Sequence, residues 1–245
     1  MQEKISKEAL TKKLEEVSKQ NKNQEKNLEQ LIELTKRYYV KKKSEKLAEA
    51  LLKLGKEQEK LSDKERKENT KEAQEEINKK FEKHKKEAEA LEKENKELKD
   101  PFKLPKNTIG EKVVDKEQQE ATDKLEKENK AGAKKNQKKA GKKMQEMGQQ
   151  MNMAMSGGQK QQMDEDVAML RQILDNLVVF SFKQEDLMEA FKLTEYGNPV
   201  FGRRLNTQND LKQNFKHIDD SLFSLSLRQP MISEMINQAI TEVQY

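Results

Sequence analysis

Seven lysines in one short stretch are the side chains of this sequence best suited to binding an anion. They lie in KAGAKKNQKKAGKK, residues 130–143, which has no acidic residue. Such a block can bind the phosphates of nucleic acid or of an anionic lipid surface, without reading sequence and in a salt-sensitive way. Ala133 and Ala140, seven residues apart, also fit close helix packing with the lysines in water, and we favour this second interpretation. The lysines are Lys130, Lys134, Lys135, Lys138, Lys139, Lys142 and Lys143.

A group of methionines follows directly and raises the question of a metal. Met144, Met147, Met151, Met153 and Met155 are closely spaced, and thioethers are soft ligands for Cu(I). The first three also continue a helical stripe, and methionine is an adaptable packing residue. We therefore expect a helix-packing surface and no metal site.

The sequence offers little evidence for a catalytic site that works by acid–base or nucleophilic chemistry. The chain has no cysteine and two histidines. His84 lies on a heptad seam without further ligands at suitable spacing, and His217 has no candidate nucleophile beside it. We expect a non-enzymatic protein with no catalytic, cofactor-binding or metal-binding residues.

Composition indicates which elements carry these side chains. Only 32% of the 245 residues are hydrophobic and 39% are charged, which cannot fill a large globular core. Long helices that each bury a narrow stripe satisfy this composition, and the low proline and glycine content favours them. The prediction is an all-α fold, with an elongated coiled-coil or helical-hairpin stalk followed by a small C-terminal helical bundle.

Membrane insertion is not expected from the sequence. No apolar run approaches the roughly 20 residues that cross a bilayer. The chain is expected to be soluble as written, and its compartment stays open.

Three heptad seams organise the first hundred residues. In each, apolar residues alternate in steps of four and three, as in a coiled coil. Polar residues at Asn21 and Gln24 are expected to set register at a cost in stability. Whether the seams pair within one chain or between chains stays open. The first is Leu10, Leu14, Val17, Asn21, Gln24, Leu28, Leu31, Thr35 and Tyr38; the second is Val40, Ser44, Leu47, Leu51, Leu54, Gln58 and Leu61; the third is Ile77, Phe81, His84, Ala88, Leu91, Asn95 and Leu98.

Four segments follow from these patterns. Residues 1–99 are predicted to be charged coiled-coil helices, and 100–114 a hinge that contains two prolines. Residues 115–156 are predicted to form a Lys- and Met-rich helix, and 157–245 a C-terminal helical bundle.

Local signals refine the helix ends. Ser62 and Asp63 are expected to begin a new helix. Gly157 and Gly158 are expected to end one. Ser181, in capping-box spacing with Gln184, is expected to start another after a break.

The C-terminal bundle is the most apolar part of the chain. Residues 163–191 carry a continuous stripe, residues 207–227 a second, and a last helix is expected after Pro230. We expect nine apolar side chains to anchor this core or a partner. They are Leu170, Leu174, Leu177, Phe180, Leu187, Phe215, Leu222, Ile236 and Ile240.

The C-terminal third resembles a known group of proteins. The stretches DEDVAMLRQILDNLVVFSFKQEDLM, NPVFG and QNDLKQNFKHIDDSLFSLSLRQPMISEMIN are similar to the end of an uncharacterised family of large bacterial coiled-coil proteins with N-terminal membrane helices. The resemblance covers residues 140–245 and implies a fragment or a shortened relative, such as the soluble part of a membrane-anchored bacterial protein. It implies no activity and no functional residues.

Two hypotheses of function remain. The first is a structural scaffold that mediates protein–protein interaction or self-association through coiled-coil seams and the C-terminal bundle. The second is weak electrostatic binding of nucleic acid or of an anionic membrane surface by the lysines of residues 130–143.

Overall fold

The predicted all-helical fold is confirmed. The computed structural model describes residues 7–64, 68–194 and 198–229, together with Ala239. Helix accounts for 88% of these residues, and there is no strand among them. The helices are α1 (Lys7–Asp63), α2 (Lys71–Lys96), α3 (Thr108–Glu126), α4 (Lys130–Lys192) and α5 (Pro199–Ser226).

Capping side chains define the starts of α2 and α5. Thr70 precedes α2, and its hydroxyl accepts a hydrogen bond from the Ala73 amide at 3.3 Å. Asn198 caps α5 through the Val200 amide at 2.9 Å, and Pro199 occupies the first turn. The predicted helix start at Ser62 and Asp63 is wrong, because both residues lie in the last turn of α1.

Helix α4 is longer than the sequence signals indicate. It continues through Gly157 and Gly158 and through Ser181, so the two breaks expected there are wrong. A helical glycine costs about 1 kcal/mol relative to alanine, and the surrounding Met, Gln, Ala and Lys residues are good helix formers that offset it. Helix α5 includes Gly202 and begins eight residues before the apolar stripe of residues 207–227.

The predicted hinge is partly helical. Helix α2 ends at Lys96, as the prolines after it require. Helix α3 begins at Thr108, inside the segment 100–114, so only the first part of that segment is a connection.

Contacts divide the chain into two compact units. One combines Met1–Thr35 with Gln162–Tyr245 and is called here the terminal unit; the other is Lys36–Gln161, the middle unit. Helices α1 and α4 contribute residues to both. These units do not follow the predicted segments, because the first 35 residues group with the C-terminal third.

Four helices share the core of the middle unit. Every residue of the second seam, from Val40 to Leu61, is buried, and so are six of the seven in the third, with Ala88 partly buried. Helix α3 adds Val114, and the lysine- and methionine-rich part of α4 adds Ala140, Met144 and Met147. The expected packing role of the methionines is therefore confirmed for Met144, Met147 and Met151, whereas Met153 is exposed.

Glycines bring α1 and α4 unusually close in the middle unit. A Cβ atom on Gly55 would lie 2.6 Å from the carbonyl oxygen of Gly141, and one on Gly141 would lie 2.7 Å from that of Gly55. One heptad further along α4, a Cβ on Gly148 would lie 3.0 Å from the Ala48 carbonyl. The buried Ala133 and Ala140 belong to the same stretch, so small residues permit the close helix packing that the sequence indicates.

The terminal unit has its own apolar cluster between α4 and α5. It contains Ile173 of α4 and four buried side chains of α5, and Leu177 and Phe180 of α4 pack against it. Two residues after the end of α5, the Arg228 Nε lies 2.6 Å from Asp166 Oδ1, and both side chains are largely buried. The buried α5 residues that join the cluster are Phe215, Ile218, Leu222 and Leu225.

Candidate interaction surfaces

A layer of buried amides crosses the core of the middle unit. The Gln74 Nε2 donates to Gln58 Oε1 at 2.9 Å and to Asn78 Oδ1 at 2.7 Å. The Gln118 Nε2 donates to Gln58 at 3.3 Å, and Gln137 Nε2 donates to Gln74 Oε1 at 2.9 Å. The layer therefore joins all four helices of the unit.

The hydrogen bonds of these buried amides indicate a structural role for the layer. Gln137 also exchanges two hydrogen bonds with Asn69, at 2.8 and 2.9 Å. Gln58, Gln74 and Gln137 are completely buried, where an unpaired amide would be costly. Such a connected layer fixes the register of the helices.

His84 lies in the same unit, on the third seam. Its Nε2 lies 3.0 Å from the Leu47 carbonyl oxygen, to which it donates. The other ring nitrogen, Nδ1, is buried without a hydrogen-bond partner. Burial lowers the pKa of His84, and the contact with Leu47 opposes this effect more weakly. The side chain is therefore a neutral structural histidine.

Most lysines of residues 130–143 are occupied by acidic neighbours. Lys134 and Lys138 both lie 3.0 Å from Asp63 Oδ1, at the end of α1. Because two lysines surround it, the pKa of Asp63 is lowered, chiefly by the hydrogen bond from Lys138. Lys139 pairs with Glu117 at 3.3 Å and Lys143 with Glu146 at 3.0 Å, and Lys130 has a partner of its own.

Only part of the block is available to an anion. Lys135 and Lys142 are exposed and make no ion pair with the part of the chain that the structure describes. The structure thus does not gather the seven lysines into one unpaired cluster.

The predicted C-terminal anchors fall into three groups. Leu187, Phe215 and Leu222 are buried, and Leu177 and Phe180 pack partly buried against the cluster of the terminal unit. Ile236 and Ile240 lie outside the described residues.

Leu170 and Leu174 belong to the third group and do not lie in the core. They are 40% and 53% exposed, so of the two roles expected of the anchors, packing in this core or meeting a partner, they do not fill the first. Helix α4 has apolar residues on two faces, and Ile173 is on the face that packs on α5. Periodicity alone could not tell these faces apart.

The other face of α4 forms an exposed apolar stripe. Its residues follow one another in steps of three or four along the terminal unit, so they share one side of the helix. An exposed apolar stripe of this kind is a candidate interaction surface. We call it the α4 stripe: Met163, Val167, Leu170, Leu174, Val178 and Phe182.

The first heptad seam is also exposed from Val17 onward, where its side chains are described. Within the terminal unit, Leu28 and Leu31 are 58% and 63% exposed, and Val17 is similar. Polar members of the same seam are exposed as well. We call this surface the α1 seam: Val17, Asn21, Gln24, Leu28, Leu31 and Thr35.

The chain's own contacts use the opposite, polar face of α1. The Lys26 Nζ lies 2.7 and 2.9 Å from the two carboxylate oxygens of Asp219 on α5. The Gln30 Nε2 donates to the Ser226 carbonyl oxygen at 3.2 Å, and Glu33 is buried nearby on the same face. In this unit α1 therefore packs through its polar face, and its apolar face is exposed to solvent.

Metal and membrane features are absent from the described ranges. Residues 7–64, 68–194 and 198–229 contain no group of three or more His, Cys, Asp or Glu side chains placed to hold a metal ion. No helix in this part of the chain is long and apolar enough to cross a membrane.

Comparison with known proteins adds no family. No family model, no curated protein and no solved structure matches the chain.

Proposed function

We propose that this protein is a non-enzymatic helical scaffold that mediates protein–protein interaction or self-association through exposed helix faces. One observation carries the proposal: in the terminal unit, α1 and α4 turn apolar faces to solvent while packing their other faces on α5. Monomeric proteins rarely expose contiguous apolar surfaces unless these bind something. The amide layer of the middle unit supports the same role, because a fixed register gives a rigid support.

The proposal can be tested on the full chain in cells that produce it. A variant with Leu28→Glu, Leu31→Glu, Leu174→Glu and Val178→Glu places charges on both exposed faces. A control with Ile109→Glu and Met153→Glu changes two exposed apolar residues elsewhere. We expect the wild type and the control to run in native extracts above the mass of one chain, and the four-site variant to run as a single chain. A wild type that runs as one chain in extract overturns the proposal.

Electrostatic binding of nucleic acid or of anionic lipid is the second candidate. The exposed Lys135 and Lys142 favour it, because no acidic side chain of the described residues occupies them. The ion pairs that Lys134, Lys138, Lys139 and Lys143 make with acidic residues weigh against a strong interaction.

A further inference from the structure

We propose that residues 17–35 of α1 form a parallel, in-register, two-stranded coiled coil with the same residues of a second copy of this chain. The inference rests on the proposed function and names the partner of one of its surfaces, the α1 seam.

The distribution of charge around α1 matches a helix that has two different partners. In heptad terms, residues 17–35 place twelve residues at the seam positions and the positions flanking them, and only Glu25 is charged. The seven remaining positions carry five charged residues, Lys19, Lys22, Lys26, Glu29 and Glu33. Depletion of charge is the compositional mark of an interface core, and here it falls on the exposed side.

The spacing of the α1 seam indicates that the partner bound to it is a helix. Its residues step by four and three without a slip from Val17 to Thr35, and Leu10 and Leu14 continue the same register in the sequence. A repeat of 3.5 residues keeps a seam facing a partner helix, with each side chain inserted between four residues of that helix. The described exposed part of the seam spans 19 residues, about 28 Å of helix.

The polar members of the seam select an identical, parallel helix. In that arrangement Asn21 meets Asn21 and Gln24 meets Gln24 of the second copy, and each amide has both a donor and an acceptor to offer. A single Asn at this kind of seam position specifies register in two-stranded coils. An antiparallel pair centred between Gln24 and Leu28 would set Asn21 against Leu31 and leave its amide unpaired.

Charges do not oppose the association of identical copies. The one charged flanking residue, Glu25, faces Gln20 of the second copy in the parallel register. The covered face, with Lys26 paired to Asp219, points away from the seam and keeps its own contacts. The surface is thus self-complementary under twofold symmetry.

The first arm of the test measures the mass of the purified full chain by light scattering after size exclusion, from micromolar to hundreds of micromolar concentrations. We expect the wild type to reach twice the 28.6 kDa of one chain. Leu28→Glu with Leu31→Glu should remain at one chain, and the Ile109→Glu, Met153→Glu control should match the wild type. Circular dichroism should show unchanged helix content, because all four residues are exposed. A wild type that stays at one chain, or a Leu28→Glu, Leu31→Glu variant that still dimerises, overturns the inference.

The second arm reads orientation and register with cysteines, which the natural chain lacks. Asn21→Cys should form a disulfide-linked dimer on mild oxidation, because a disulfide needs Cα atoms within about 7 Å. Lys22→Cys, on the other side of the helix, should not. In a mixture of Asn21→Cys and a size-tagged Leu31→Cys chain, only like chains should cross-link. A preferred mixed dimer would show antiparallel pairing and refute the parallel register.

Failure of this inference is distinguishable from failure of the proposed function. A purified chain that is monomeric, yet runs in extract as a complex that the Leu28→Glu, Leu31→Glu, Leu174→Glu, Val178→Glu variant loses, excludes self-pairing and retains the scaffold. A chain that is monomeric both when purified and in extract excludes self-pairing and the scaffold function.

Discussion

Gln58 and Gln74 donate hydrogen bonds to each other across α1 and α2, with Nε2 to Oε1 distances of 2.8 and 2.9 Å. Both side chains are completely buried. Both hydrogen bonds can form only when the two helices have one particular axial alignment. The pair therefore specifies the register of α1 and α2 inside an apolar core.

Removal of one member of this layer should destabilise the protein. In Gln74→Leu, the amides of Gln58, Asn78 and Gln137 each lose a partner while remaining buried or partly buried. We expect a loss of about 1 to 3 kcal/mol in the free energy of unfolding, measured by urea denaturation. The control is the simultaneous change of Gln58, Gln74, Gln118, Gln137, Asn69 and Asn78 to Leu, which removes the amides of the layer and their amide partners together. A smaller loss there than in Gln74→Leu is expected, and a larger one would contradict the interpretation.

Two glycines of α4 should respond oppositely to alanine. Gly141→Ala places a Cβ 2.7 Å from the Gly55 carbonyl oxygen and should cost about 1 to 3 kcal/mol as overpacking. At Gly157 nothing lies within 4 Å of an added Cβ, and Gly157→Ala should gain about 0.4 to 1 kcal/mol from helix propensity. Thermal unfolding of the two variants side by side measures the contrast. Equal effects would show that the close approach of α1 and α4 does not determine the outcome.

Adjacent residues of α4 should separate the buried face from the exposed one. Ile173→Ala removes a side chain of the terminal cluster and should cost about 2 to 5 kcal/mol. Leu174→Ala, on the α4 stripe, should change stability of the isolated chain by less than about 1 kcal/mol. Urea denaturation at low protein concentration, where association is minimal, is the measurement. A large cost for Leu174→Ala would place it in a covered face.

His84 should make stability depend on pH in the mildly acidic range. Because burial lowers its folded-state pKa, the unfolded chain binds the proton first as pH falls below about 6.5. The contribution is therefore complete above that value and is lost as pH falls toward the folded-state pKa. The slope from one proton is at most about 1.4 kcal/mol per pH unit.

Two variants isolate this contribution. His84→Gln should flatten the fall in unfolding free energy between neutral and mildly acidic pH, whereas His217→Gln, at an exposed position, should leave it unchanged. Urea denaturation at several pH values gives the comparison. An unaltered slope in His84→Gln would assign the pH dependence to other groups.

The salt dependence of DNA binding should reveal how many lysines of residues 130–143 act. If Lys135 and Lys142 alone neutralise phosphates, the logarithm of the binding constant should fall with log salt at a slope of about −2, against about −6 for all seven. Titration of labelled duplex DNA at several salt concentrations measures the slope. Lys135→Ala with Lys142→Ala should abolish the dependence, and Lys134→Ala with Lys138→Ala should not.

The sequence predicts a helix face more readily than it predicts what covers that face. The seams of residues 40–61 and 77–98 are buried except for the partly buried Ala88, and the α5 stripe from Leu211 to Leu225 is buried throughout. The α1 seam has the same spacing but lies in solvent, because α5 binds the polar side of α1 through Asp219. Periodicity reports that a stripe can pack, whereas the choice of partner depends on contacts far apart in the chain.

The hydrogen-bond partners within the amide layer could not be predicted from the local sequence either. Gln58 was visible as a polar seam residue, and Gln118 lies in the buried row of α3. Nothing in either neighbourhood specifies Gln74 or Gln137 as the partners, which come from other helices. The role of each glycine also depends on what lies beside it in the fold. Helix α4 continues through Gly157 and Gly158, whereas Gly141 permits close contact with Gly55 of α1.

Gln58 follows Gly55 by three residues and Gln137 precedes Gly141 by four, so the contact between these two glycines of α1 and α4 lies one turn from the amide layer. A residue inserted between either pair would rotate the amide by about 100° relative to the contact. These two short intervals should therefore keep a constant length in natural variants of this chain.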